Sequence, residues 1–267
     1  MHEALPPELR AGPLGEYLAQ IQHAKAVVIG ESMAPVYQLA DAQGPVSFLK
    51  ICPRASGLTL ADDAARLIWL ADRLPVPRLL SYHEDATHTY LLMSAVPGVD
   101  AATLAENEAL NTAALVRLLA IGLRQIHAVP VADCPFDHRL AHELAQAKLR
   151  TERGLVDEED FDIERQGRAA TSLLEELLAT APTAEDLVLT HGDYCLPNIM
   201  VKDQQISGFI DLGLAGVGDR YRDLALVRRS LIRNCGIEWV QPFFEAYGLP
   251  QPDEDKLAFY QLLDEFY

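Results

Sequence analysis

The chain has 267 residues, with 22 Lys and Arg against 39 Asp and Glu, a net charge of −17. At roughly 100–200 residues per domain, that length allows one large domain or two small ones. A 49% hydrophobic content excludes wholesale disorder, and so negative a chain excludes nucleic acid and anionic membrane as expected partners while admitting a small cation.

The first hundred residues read as strands around one helix. Ala26–Gly30, Val36–Ala40 and Val46–Ile51 are short, rich in β-branched or aromatic residues and bounded by turn residues. Asp41-Ala-Gln-Gly44 suits a hairpin loop. Leu60–Leu74 carries apolar residues at helical spacing, and Pro75 and Pro77 stop it. Leu79–Tyr82 and Thr89–Ser94 are further strands, and Pro97-Gly98 is a break. Beyond it the pattern predicts helices over Asn111–Val129, Asp137–Arg153, Gly167–Ala179, Asp219–Cys235, Glu238–Tyr247 and Asp253–Phe266. One strand pair, Leu187–Thr190 with Ile206–Asp211, interrupts them. The expectation is an α+β chain with a β-rich lobe over 1–95 and a mainly helical lobe over 96–267.

Cys52, Cys134, Cys195 and Cys235 form no C-x-x-C pair, which predicts reduced thiols and a cytoplasmic location. The opening residues lack the pattern of a signal peptide. The most apolar helix contains Arg117, Arg124, Gln125 and His127, so no membrane span is expected. His138 and His142 share a helix face without an H-E-x-x-H motif, and read as a surface or packed pair rather than a zinc site.

The chemistry concentrates in His191-Gly-Asp-Tyr-Cys-Leu-Pro-Asn198 and Ile210-Asp-Leu-Gly213. Phosphoryl transfer needs a carboxylate to orient the attacking hydroxyl, here Asp193. It also needs Asn and a second carboxylate to hold Mg²⁺, here Asn198 and Asp211. The Asp-to-Asn offset is that of the protein-kinase catalytic loop, and Asp-Leu-Gly stands where that family has Asp-Phe-Gly. Lys50, in a strand, can serve the nucleotide phosphates, oriented by Asp63 on the next helix. Two solvated charges are the alternative. Asp62 points about 100° away and is the weaker partner. Asp63 is one methylene shorter than the usual Glu, which predicts a longer pair. No P-loop or G-x-G-x-x-G is present, and Gly213, Gly216 and Gly218 lack Rossmann spacing. Ser32 is either a phosphate-facing turn residue or an ordinary β-turn serine.

HGDYCLPNIM, SGFIDLGLAGVGDRYRDLAL and LLDEFY resemble the aminoglycoside 3′-phosphotransferases, from about Val28 to Tyr267. The resemblance implies a two-lobed protein-kinase-like fold, with an antiparallel β-sheet N-lobe. It implies transfer of the ATP γ-phosphoryl to a sugar hydroxyl, with Asp193 as catalytic base. It places Phe48 against adenine, though a core position is equally open to a strand aromatic. Ser94 and Val96 would offer hinge backbone groups. His191 would brace the loop. Asp223 would tether it, a helix cap being the alternative. The acceptor would meet Asp160 and Asp162 in an acidic helical insert (157–164), and Asp264, Glu265 and the α-carboxylate of Tyr267. As a structural alternative, such an acidic run is a solvated face. The sequence departs from the family pattern at Leu214, Arg233, Ile163 and Ser230. The expected partner is a cationic aminoglycoside, bound by a monomer or weak dimer with ATP and Mg²⁺. Two alternatives stand beside this: a kinase of the same fold acting on another small alcohol or amine, and an inactive nucleotide-binding homologue.

Overall fold

The computed structural model describes residues 14–27, 35–56 and 60–267. Its contacts divide the chain into two compact units. One runs to Pro97 and takes in Gly208–Gly213; the other is Gly98–Ser207 with Leu214–Tyr267.

The first unit contains α1 (Gly15–Leu18), β1 (His23–Val27), β2 (Val36–Asp41), β3 (Gly44–Pro53), α2 (Ala61–Leu70), β4 (Leu79–Glu84) and β5 (His88–Ser94). The strands form one antiparallel sheet in the order β1-β2-β3-β5-β4. Asp41 pairs with Gly44 across the β2–β3 turn, and its Oδ1 accepts the Gln43 N–H at 2.7 Å. The strand expected at Ala26–Gly30 begins earlier, at His23; its part beyond Val27 lies outside the described residues. Side chains alternate across a strand. Leu49 and Ile51 therefore join Leu14, Leu18, Leu39 and Leu92 in the core, while Phe48 and Lys50 share the opposite face. The helix predicted to Leu74 ends at Leu70 and continues as turns. The Pro75 carbonyl accepts the Phe209 N–H at 2.9 Å, which ties the segment around Asp211 to this unit.

The second unit contains β6 (Val99–Asp100), α3 (Ala101–Glu106), α4 (Thr112–His127), α5 (Leu140–Glu152), α6 (Ala170–Ala179), β7 (Leu187–Thr190), β8 (Ile199–Lys202), the start of β9 (Gln205–Phe209), β10 (Gly216–Asp219), α7 (Tyr221–Asn234), α8 (Val240–Tyr247) and α9 (Glu254–Asp264). Asp100, Asn111 and Asp253 cap α3, α4 and α9 by accepting a backbone N–H. Helix α4 packs on α8 and α7 on α9. Leu119, Leu123, Phe243, Phe244, Leu224, Val227 and Leu257 are buried there, each worth about 1.5–3 kcal/mol of transfer free energy.

Two expectations are corrected here. The strands at 187–190 and 206–209 do not pair with each other. β7 pairs with β10, Thr190 opposite Gly216, and β9 lies in a separate sheet ordered β6-β8-β9. β10 reads Gly-Val-Gly-Asp, a poor strand by propensity that exists through its pairing with β7; the predicted helix therefore starts at Tyr221 rather than Asp219. The acidic run 157–164 is not helical: only turns and bends connect α5 to α6. None of the four cysteines is in a disulfide. Among the described residues no helix is long and apolar enough to cross a membrane.

Candidate active site

In the first unit, Lys50 Nζ lies 3.0 Å from Asp211 Oδ1 and 3.6 Å from Asp63 Oδ2. The shorter Asp63 side chain leaves the longer gap. Asp62, one residue away, faces solvent. Burial alone would lower the Lys50 pKa, but the carboxylates of Asp211 and Asp63 outweigh it and hold the ammonium above the ordinary lysine value. Burial raises the Asp63 carboxyl against the pull of Lys50. β9 stops at Phe209, so Asp211 does not end the strand but follows it, with φ of 58°. An aspartate tolerates this left-handed conformation better than most residues. Gly213 lets Asp63 approach: a Cβ there would sit 3.2 Å from Asp63 Oδ1. Phe48 lies on the Lys50 face and not in the core. The Ser94 N–H and Oγ are both bound to the Arg78 backbone, at 2.9 Å each. Val96 is half-buried. Ser32 lies outside the described residues.

In the second unit, Asp193 and Asn198 meet across one tight loop. Asn198 Nδ2 donates to Asp193 Oδ2 at 2.7 Å and to the Asp193 carbonyl at 3.0 Å. The remaining oxygen of the Asn198 amide is an acceptor. The loop is anchored from several sides. His191 Nδ1 accepts the Asp193 N–H at 3.3 Å, the bracing contact expected of it. The Tyr194 hydroxyl, fully buried, donates to the Leu119 carbonyl at 2.8 Å. Ser230 Oγ accepts the Leu196 N–H at 2.9 Å.

Asp223 sits inside α7 and caps nothing. Its two oxygens accept the N–H groups of His191 (2.8 Å) and Gly192 (2.9 Å), and His127 Nε2 lies 3.0 Å from Oδ2. Burial would raise its pKa, but the bond to His127 and the His191 N–H outweigh that and hold it below the ordinary aspartate value. Gly192 is required here: its φ is +87°, and a Cβ would fall 2.3 Å from the Leu214 carbonyl.

The acidic residues divide. Asp162, Asp264 and Glu265 come together through two arginines that the sequence did not single out. Arg229 pairs with Asp162 at 3.4 Å and Asp264 at 2.5 Å. Arg165 pairs with Glu265 at 2.9 Å and Asp162 at 3.5 Å. Gln261 adds a bond to Asp162 at 3.1 Å. Burial raises Asp162, yet Gln261 and Arg229 bring it below the ordinary value. Asp264 is held above it by burial, against Arg229 and with the Asp193 charge adding to the rise. Asp160 is exposed. The Tyr267 main-chain oxygen accepts from Arg150 Nη2 at 3.1 Å. Charge alternation could have flagged Arg165, next to the acidic run. Nothing local in sequence marks Arg229, and Ser230 stands out only as a departure from the family pattern.

One unit built on an antiparallel sheet, with a Lys between two carboxylates, and one mainly helical unit, with an Asp–Asn loop, define a kinase-like phosphotransferase. A profile described as the phosphotransferase enzyme family matches residues 25–260. The chain is 40% identical over 240 residues to the aminoglycoside 3′-phosphotransferase of Niallia circulans, covering 90% of both chains. It is similar to the crystal structure of a type VIII aminoglycoside-3′-phosphotransferase, with a TM-score of 0.81, 37% identity and coverage of 95% and 97%. The aminoglycoside phosphotransferase APH(3'')-Id of Streptomyces rimosus, solved with ADP and streptomycin, gives a TM-score of 0.77 at 26% identity over 95% of this chain and 98% of that one. The chain belongs to the phosphotransferase enzyme family, and within it to the aminoglycoside 3′-phosphotransferase family.

Proposed function

We propose that this enzyme transfers the γ-phosphoryl group of ATP to the 3′-hydroxyl of an aminoglycoside antibiotic. The supporting observation is the Asp193 carboxylate, held by Asn198 at 2.7 Å on a loop whose backbone is pinned by Asp223. In this reading Asp193 accepts the hydrogen bond of the attacking hydroxyl and takes its proton as the phosphoryl group moves. Lys50, oriented by Asp63, neutralises charge on the nucleotide phosphates. Phe48 and the backbone at Ser94 and Val96 meet the adenine.

The donors fit Mg²⁺: a carboxylate of Asp211 and the amide oxygen of Asn198 are hard oxygen ligands. Among the described residues no group of three or more His, Cys, Asp or Glu could hold a metal ion. Mg²⁺ is commonly bound through one or two carboxylates together with substrate phosphates. Bound there, Mg²⁺ would supply electrostatic stabilisation of the phosphoryl oxygens. The enzyme would work as a monomer or weak dimer, and in the cytoplasm, where thiols outside disulfides are the rule.

Asp160, Asp162, Asp264 and Glu265 would face the cationic acceptor. Arg165 and Arg229 already offset part of that charge, and Arg233 is exposed. These cations are the observation that favours the second reading, a kinase of the same fold acting on another small alcohol or amine. ADP release measured with kanamycin, neomycin, streptomycin and simple amino alcohols separates the two, and NMR of the product locates the phosphate. Activity on amino alcohols with none on any aminoglycoside would overturn the first reading. Lys50→Met should lower kcat/KM for ATP by about 10²-fold or more, the scale of one lost electrostatic stabiliser. An unaltered value removes Lys50 from the phosphate site. Asp162→Asn should raise the acceptor KM about tenfold, as for a charged hydrogen bond, and leave the ATP KM unchanged. A shift in the ATP KM alone would contradict that assignment.

A further inference from the structure

We propose that Arg222 is a positioning residue for Asp193, acting through the Gly192 carbonyl. This rests on Asp193 being the residue that orients the acceptor hydroxyl. Arg222 lies in the first turn of α7, next to Asp223, and is 4% exposed. Its Nε donates to the Gly192 carbonyl at 3.2 Å. Asp223 takes the N–H of the same glycine at 2.9 Å. Two adjacent side chains thus hold both polar groups of the residue that precedes Asp193. Gly192 cannot slip toward Leu214, whose carbonyl already leaves no room for a Cβ.

The guanidinium is itself held. Glu143, 1% exposed, pairs with Arg222 Nη1 at 2.6 Å through one oxygen, and His138 Nδ1 binds its other oxygen at 2.6 Å. The Tyr267 ring covers the guanidinium, with the carbon 5.2 Å from the ring centroid. An ion pair sealed from water is expensive, and apolar side chains in place of such a pair are often neutral or stabilising. Stability alone is therefore a weak reason for these residues. A planar guanidinium that meets a carboxylate oxygen through Nη1 and a carbonyl through Nε is a geometric device. Here it transfers the rigidity of α5 and α7 to the loop. A small displacement of a reacting group costs turnover rather than binding.

The experiment compares Arg222→Met, the double variant Glu143→Leu/Arg222→Met, Arg222→Lys and Asp193→Asn, with kcat, both KM values and melting temperature measured for each. Arg222→Met should lower kcat about 10–100-fold with both KM values little changed, and should melt early because the buried Glu143 loses its arginine counter-charge. The double variant should recover its melting temperature but not its kcat, because the Gly192 carbonyl is still unheld. A structural role would return both together. Arg222→Lys keeps the charge for Glu143 without the planar guanidinium, and should melt near wild type with reduced kcat. Wild-type kcat in the double variant overturns the proposal; if the double variant does not fold, wild-type kcat in Arg222→Lys does so. Substantial turnover by Asp193→Asn would instead overturn the reading of Asp193 itself.

Discussion

Asp193→Ala will lower kcat by about 10²–10⁴-fold, the range lost with a positioned general base, while ATP affinity stays within a few-fold. The reasoning starts from the loop. Asp193 does not hold the chain together: its carboxylate takes one bond from Asn198, and the loop is anchored independently through His191, Gly192, Tyr194 and Leu196. Removing the carboxylate therefore deletes a reactive group and leaves its scaffold. Lys50, Asp63 and Asp211 belong to the other unit. Steady-state ADP release gives kcat and calorimetric titration gives the nucleotide affinity. A variant that still turns over within tenfold of wild type would remove Asp193 from the mechanism. Loss of nucleotide binding together with turnover would mean that it serves the nucleotide instead.

Asp223→Ala will cost stability on the scale of a broken buried charge site, about 3–5 kcal/mol. For a chain of this size each kcal/mol moves the melting temperature by about 2–4 °C, so a fall near 10 °C or more is expected. The cause is specific. Two backbone N–H groups, those of His191 and Gly192, lose their acceptor, and His127 loses its carboxylate. Buried donors left without partners carry their full desolvation penalty. The same carboxylate makes stability depend on pH. Its pKa in the folded protein is depressed, so folding releases a proton that the unfolded chain would still bind. Its contribution is complete above the unfolded value, about 3.9, and fades as pH falls below it toward the folded value. Denaturant melts at pH 7 and at pH values from about 4 downward should show the gap between wild type and Asp223→Ala narrowing with acid. A gap independent of pH would show that the stabilisation is not ionic.

The parts legible in the sequence share one property: they are local. Asp193 and Asn198 are five residues apart in a single loop, so their identities and spacing already imply their contact. The β2–β3 hairpin is likewise set by the Asp41–Gly44 turn. Strand alternation carries Lys50 and Phe48 to one face because the side-chain period of a strand is two. The helices of the second unit were readable from apolar periodicity, with ends displaced by a few residues.

The partnerships were not legible. β7 joins β10 rather than β9, since strand pairing depends on where the whole chain runs and β10 has little propensity of its own. Asp223 had two local readings, and only its placement under His191 and Gly192 selects the tether. Arg222 beside it carries no local signal, because its partners Gly192 and Glu143 are 30 and 79 residues away. The acidic run suggested an undivided negative surface for a cation. Folding instead brings Arg229 and Arg165 onto Asp162, Asp264 and Glu265.

By itself, then, the sequence determined the family and the local contacts: Asp193 with Asn198 in one loop, and Lys50 with Phe48 on one strand face. A short loop or strand imposes its own geometry whatever surrounds it. Tertiary structure alone decided how those groups are held and which charges remain uncompensated. Those outcomes depend on burial and on contacts between distant segments. In a low-dielectric interior such contacts determine whether a charge is stabilised, shifted or neutralised.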